Sequence, residues 1–179
     1  MRDRIQYLLN ILARSMVGRN LMNKENEHTE INNNCYCVKT ATILDRQLIE
    51  SIVRQCGKQV SDYFGIRNLV DFYRKKEVYW VENTEPIAFA IAKPLIKQPV
   101  ISLYEIGVIP SMRGKGVAST LIHHINDLHP NRVWRLVVNE DNQTARIAYQ
   151  RLGLKEYAYD KTRGGRPIVR MEGVIKSKH

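Results

Sequence analysis

Apolar residues change their period several times along the chain. In Met1–Leu21, Ile5, Leu8, Leu9, Leu12, Met16 and Val17 recur at helical spacing among Arg2, Arg4, Arg14 and Arg19, which predicts an amphipathic helix. Asn23–Asn34 is polar, ends in three asparagines and reads as a linker. Cys35–Thr40 alternates weakly, as a short strand does. Leu48, Ile49, Ile52 and Val53 share one face of a helix expected over Leu44–Val60, and a second helix is expected over Ile66–Tyr73. Glu77–Glu82 and Pro86–Pro94 alternate at period two around the turn Asn83-Thr84-Glu85, a hairpin, and Val100–Ile109 is a third strand in that run. Helical spacing returns in Val117–Leu128. A strand over Arg132–Asn139, a helix over Asn142–Leu152 and strands over Leu154–Asp160 and Ile168–Ile175 complete the order. Asp141 or Asn142 suits the start of that helix and Gly153 its stop. This order predicts an α/β (α+β) domain with a mixed, mostly antiparallel sheet flanked by helices, over residues 35–179, preceded by an N-terminal helix and linker over 1–34.

Length and composition narrow the class. A chain of 179 residues is one domain, or one domain with an appendage. Hydrophobic residues at 44% and charged residues at 26% exclude disordered and fibrous architectures. No internal repeat and no apolar run long enough for a membrane span is present. Three cysteines, Cys35, Cys37 and Cys56, do not make a disulfide framework. With no secretory segment, they fit a reducing interior and a cytoplasmic location. The histidines lack metal-ligand spacing, so no metal site is expected.

The net charge of +10 is unevenly spread. Residues 1–24 carry five Lys/Arg against one acid, residues 25–98 ten of each, and residues 99–179 thirteen against seven. Such a field concentrates polyanions or phosphorylated ligands at the N-terminus and the C-terminal half. Three readings fit the first helix. It packs on the domain or on a second subunit, as in a homodimer; it is a basic surface for membrane or nucleic acid; or it is an organellar presequence, which Asp3 and the missing serine-rich tract argue against.

The stretch with most chemistry is Val108–Ala118, a strand running into a basic, glycine-containing turn and then a helix. Helix-start amides are unpaired, and with the helix dipole they hold phosphate. Gly114 and Gly116 let a pyrophosphate approach the backbone, and Arg113 and Lys115 add charge. The spacing fits neither a Walker A loop nor a dinucleotide fingerprint. Arg113-Gly114-Lys115-Gly116-Val117-Ala118 does fit [QR]-x-x-G-x-[GA], and Asn142 through Leu154 fits N-x-x-A-x-x-x-Y-x-x-x-G-[FL]. Together, and on the right elements, these resemble the two motifs of the Gcn5-related N-acetyltransferase (GNAT) family.

That resemblance covers roughly Cys35–Ile175. It implies acetyl-CoA as donor, held between the strands at Val100–Ile109 and Arg132–Asn139. The backbone of Ile106 and Val108 would pair with the pantetheine arm, and the amides from Arg113 through Gly114, Lys115, Gly116 and Val117 to Ala118 would hold the pyrophosphate. Asn142 would touch the donor near its reactive end. It further implies direct attack by an amine, with the Val108 amide facing the oxyanion, Tyr149 as acid for the thiolate and Glu105 as base. Each has a plainer alternative: Tyr149 as a packing residue, Glu105 as half of an ion pair. Strand alternation sets Glu105 on the side opposite Tyr104 and Ile106. Val137 stands where some relatives carry a glutamate, and His123 and His124 are expected at the surface.

Acceptor choice in this fold lies with the first helices and the loop between the last strands, here Leu44–Tyr73 and Lys161–Pro167. Arg163 and Arg166 flank two glycines there and read as a mobile substrate-binding loop. A primary amine is the expected acceptor. A nucleic acid acceptor, a base amine or an aminoacyl-tRNA, is the runner-up, and a non-catalytic binding module is the third reading.

Overall fold

The structure, a computed structural model, describes residues 28–31, 34–57 and 77–176. The helices expected over Met1–Leu21 and Ile66–Tyr73 lie outside these residues. The strands are β1 (His28–Ile31), β2 (Asn34–Thr40), β3 (Glu77–Glu82), β4 (Pro86–Pro94), β5 (Val100–Val108), β6 (Val133–Asn139), β7 (Lys155–Lys161) and β8 (Pro167–Gly173). The helices are α1 (Arg46–Cys56), α2 (Val117–Leu128) and α3 (Gln143–Arg151). The strands form one eight-stranded sheet in the order β1-β2-β3-β4-β5-β6-β8-β7. Among the described residues only β5 and β6 pair in parallel, so the expected mixed, mostly antiparallel sheet with flanking helices is present.

β1 corrects the reading of Asn23–Asn34 as a linker. It pairs antiparallel with β2, His28 opposite Cys37 and Ile31 opposite Asn34. An edge ladder is held by backbone hydrogen bonds, so a polar sequence joins it without an apolar face.

The helices sort by their apolar faces. Thr42 caps a 3-10 turn, Ile43–Asp45, in a reciprocal box with Asp45 and leads directly into α1. Ile49, Ile52, Val53 and Cys56 of α1 then pack on Val78 and Trp80 of β3 and Phe89 and Ile91 of β4. On the other face, Val117, Leu121, Ile122 and Ile125 of α2 meet Tyr36, Val38, Tyr79, Val81, Ala88, Ala90 and Ala92. The alternation in β4 is therefore functional packing: large residues fill the α1 side and alanines let α2 come close. Each fully buried Ile or Phe here contributes about 2 kcal/mol. Gly107 on β5 serves the α1 side, since a Cβ there would lie 2.5 Å from Phe89 Cε1 and 2.9 Å from Cys56 Sγ. α1 stops at Gly57, short of the expected Val60, because Gly57 turns to φ 67°.

His124 departs from its expected surface position. Its ring meets the buried Tyr79 ring edge-on, 6.1 Å between centroids, and both His123 and His124 are half-buried.

Candidate active site

The site is made by a parting of strands. β5 and β6 pair only at Val100–Ser102 with Val133–Arg135. Beyond that point β5 carries a bulge, with Leu103 opposite Ala92 and Glu105 opposite Ile91, and Tyr104 as the extra residue. The bulge ends the alternation expected from sequence. Ile106 packs on the same core as Leu103, three residues earlier, while Glu105 faces Ile91 of the other core. Past the bulge β5 keeps β4 as its neighbour and loses β6, and a cleft opens between them.

Backbone geometry fixes which groups line that cleft. Ile109 N–H donates to the Ile87 carbonyl at 3.0 Å. Antiparallel pairs alternate between bonded and non-bonded, so Val108 opposite Ala88, and Ile106 opposite Ala90, turn their N–H and C=O groups away from β4 and into the cleft. These are the two residues whose backbone was expected to pair with the donor's arm. The Val108 carbonyl is taken by Arg113 Nε at 3.1 Å, while its N–H points into the cleft.

At the end of β5 the chain makes a 3-10 turn, Pro110–Met112, and enters α2 through Gly114 (φ 76°) and Gly116 (φ 81°). Both are left-handed, a conformation that side chains with a Cβ resist. Gly116 is the N-cap of α2 and no side chain caps it, so the amides of the first turn stay open to an anion. Arg113 behaves differently from the residues after it. Its guanidinium donates to the Val108 carbonyl and, at 2.9 Å, to the Cys56 carbonyl at the end of α1, and its own N–H goes to the Pro110 carbonyl. It fastens the turn to both β5 and α1. Lys115 is exposed beside it.

α3 starts at the same end of the sheet. The Asn142 side-chain oxygen accepts from Ala145 N–H at 3.1 Å, so this residue caps the helix. Ala145 and Tyr149 lie against the main core. Burial, and then the carboxylate of Glu105, hold the Tyr149 phenol well above the ordinary value, so it is neutral over the physiological range. Glu105 also acts on Cys56, whose thiol is pushed up to about 11, by burial first, with Arg113 opposing and Glu105 adding. Glu105 on β5 is thus within electrostatic reach of both Tyr149 on α3 and Cys56 at the end of α1. Val137 on β6 is 51% exposed. Arg163 and Arg166 are exposed on a hairpin pinned by Thr162 N–H to the Arg166 carbonyl (2.9 Å) and Gly165 N–H to the Thr162 carbonyl (2.8 Å). These two bonds close the turn between β7 and β8.

Two features escaped the sequence reading. The tie from Arg113 to Cys56 spans 57 residues and leaves no local signal. The bulge does leave one: inward apolar residues run Ile101, Leu103, then Ile106, Val108, and the parity changes between them. Among the described residues, no group of three or more His, Cys, Asp or Glu side chains gathers to hold a metal.

Comparison with known proteins agrees with this geometry. Residues 46–154 match the acetyltransferase (GNAT) family. The chain belongs to that family, whose donor is acetyl-CoA. It is 34% identical over 82 residues to the 5-NmdU N-acetyltransferase of Pseudomonas phage PaMx11, a stretch that covers 45% of this chain and 59% of that protein. Solved structures share the fold. The ribosomal-protein-S18-alanine N-acetyltransferase from Escherichia coli superposes with a TM-score of 0.66 at 19% identity, over 80% of this chain and 96% of that one. Ard1 from Thermoplasma volcanium gives 0.66 at 18%, over 79% and 99%. The PaiA N-acetyltransferase from Thermoplasma acidophilum, in complex with coenzyme A, gives 0.62 at 15%, over 78% and 98%.

Proposed function

We propose that the protein is an N-acetyltransferase that passes an acetyl group from acetyl-CoA directly to a primary amine. The observation that carries this reading is the cleft between β5 and β6, with an uncapped helix start following β5 and with Glu105, just past the point where the strands part, within electrostatic reach of Tyr149. The residues fit the donor: two left-handed glycines and open amides at α2 suit its pyrophosphate, and the Ile106 backbone with the Val108 N–H, turned away from β4, suits its amide-bearing arm. The donor supplies an activated thioester carbonyl.

The chain's own groups supply the rest. Glu105 takes a proton from the acceptor ammonium, which frees the lone pair to attack. The Val108 N–H faces the oxygen on which negative charge grows. As the carbon–sulfur bond breaks, Tyr149 gives its proton to the departing thiolate; the surplus proton on the acetylated nitrogen restores the phenol, and the proton held by Glu105 leaves to solvent. The two steps are linked through charge. When Glu105 is protonated, the carboxylate that helps hold the Tyr149 proton in place is gone, and the phenol becomes a better acid as it is needed.

For the acceptor, an amine on a nucleic-acid base has specific support. The phage relative is named for 5-NmdU, and residues 99–179 carry thirteen Lys/Arg against seven acids. The test is calorimetric titration with acetyl-CoA, followed by thiol release in the presence of a 5-aminomethyl pyrimidine nucleoside, a polyamine and a peptide with a free N-terminus. Acetyl-CoA binding at micromolar strength with thiol release only for the nucleoside is the expected result. Absence of acetyl-CoA binding would remove the enzyme reading; release only with another amine would remove the base.

A further inference from the structure

Strands β6, β8 and β7 have two unlike faces. On one, Leu136 lies beside Met171 and Glu156, and Val138 beside Val169 and Tyr159; the apolar members of these rows join the main core. On the other, Val137 lies beside Arg170 and Ala158, and Arg135 beside Glu172 and Lys155. Val137 at 51% exposure shows that this second face is open at its middle, while Ile168 at its end is buried. Tyr157, the extra residue of a bulge between Glu156 and Ala158, is 52% exposed. Its phenol is one of the groups, after Asp160, that raise the pKa of Arg170. Across the cleft, Tyr104 of the β5 bulge is 48% exposed. Exposed phenols therefore lie on β5 and on β7, the strands that flank β6 and β8 in the sheet.

Charge is placed at the rim of this face. Its acids are engaged: Asp160 accepts from Arg170 at 2.8 Å and Glu172 from Arg135 at 3.1 Å. The hairpin Lys161–Pro167 carries Lys161, Arg163 and Arg166 and no acid. Glu140 N–H donates to the Pro167 carbonyl at 3.2 Å, which fixes the hairpin beside the C-terminal end of β6, where the cleft opens. A cationic turn thus sits beside the C-terminal end of β6, next to a face on which Val137, Ala158 and Tyr157 lie among paired charges.

We propose that this face binds single-stranded nucleic acid, with the hairpin cations on phosphates and Tyr157 and Tyr104 stacking bases beside the cleft. The proposal rests on the base-amine reading above and adds the form in which the base arrives. A C5 amine is displayed in the major groove even of a paired base, so the choice of a single strand rests on the rings: a phenol stacks only on a base that has left its duplex neighbours. Phenol rings take any base by stacking, and cations supply an affinity that falls with salt. An acidic peptide would use the cations and leave the rings without a role.

The test is fluorescence anisotropy of the full-length chain with a short labelled oligothymidylate over a sodium chloride series, without acetyl-CoA. The wild type is expected to bind the single strand more tightly than a duplex of equal length. Replacing both hairpin arginines, Arg163→Gln with Arg166→Gln, should make the slope of log K against log salt shallower by about 0.7 for each phosphate no longer neutralised. Tyr157→Leu should weaken binding roughly tenfold at every salt concentration with an unchanged slope. Unfolding midpoints and acetyl-CoA affinity check that the variants are folded. A wild-type slope in the double variant, wild-type affinity in Tyr157→Leu, or equal displacement by polyglutamate would each overturn the proposal. Strand binding with these signatures but no acetylation of any base amine would uphold the surface and remove the base-amine reading. Acetylation of the free nucleoside with no strand binding would do the reverse.

Discussion

Two helices, α2 and α3, begin at the same end of the sheet, each just after one of the two parallel strands, and their first turns are built in opposite ways. α3 closes its own N-terminus: the Asn142 side chain takes the Ala145 amide. α2 begins at a left-handed glycine with no side-chain cap, so its amides are left for something outside the chain. The same backbone need is met internally in one helix and by no side chain in the other. The difference also sorts the rest of each helix. α2 is packed deep in the core by Val117, Leu121, Ile122 and Ile125, and stays formed without a cap, whereas α3 has no fully buried residue and depends more on its ends.

Breaking the open end should have the largest effect. Gly116→Val puts a β-branched residue at φ 81°. It should cost about 1–2 kcal/mol of stability and reduce acetyl-CoA affinity by more than about a hundredfold in calorimetry, because the turn must move. Wild-type affinity in that variant would contradict the donor assignment. Tyr149→Phe comes next: kcat should fall about a hundredfold while acetyl-CoA affinity stays within a factor of about two. Its pH profile sharpens the point. An acid works while protonated, and both causes raise the Tyr149 pKa, so the wild-type rate should hold past the ordinary phenol value of about 10 rather than decline there. A decline centred below that value would assign the acid elsewhere.

Arg113→Met removes two bonds from a charged donor to backbone carbonyls. It should lower stability by about 2 kcal/mol and weaken acetyl-CoA binding about tenfold, since the turn is held less firmly against β5 and α1. Unchanged denaturant midpoints would mean the guanidinium is dispensable to the fold. The smallest effect is expected at the closed end. Asn142→Ala should cost about 1 kcal/mol through the lost cap, and Asn142→Asp, which retains a capping oxygen, much less. If both weaken acetyl-CoA binding equally, the Asn142 amide touches the donor; if affinity follows stability, its work is confined to the cap.

Much of this was legible in the order of residues because the signals are local. Period-two runs gave β3, β4 and β5, helical spacing gave α1, α2 and α3, and the glycine turn and Tyr149 fall into motifs with fixed spacing. Three things were not legible for the opposite reason. β1 has no apolar pattern, since an edge ladder needs only backbone groups. His124 reads as a surface histidine until β3 brings Tyr79 beneath it. Arg113 reads as charge for a phosphate until the fold brings the Cys56 carbonyl within its reach.

The class of fold and the family were already set by the order of residues, because periodicity, glycine placement and motif spacing are properties of neighbours along the chain. Where the cleft opens, which face Glu105 joins and which side of the last three strands is left bare were settled only by packing the strands together. Those outcomes depend on a one-residue shift in the pairing of β4 with β5 and on how far β6 follows its neighbour, and a shift of one residue exchanges the two faces of a strand.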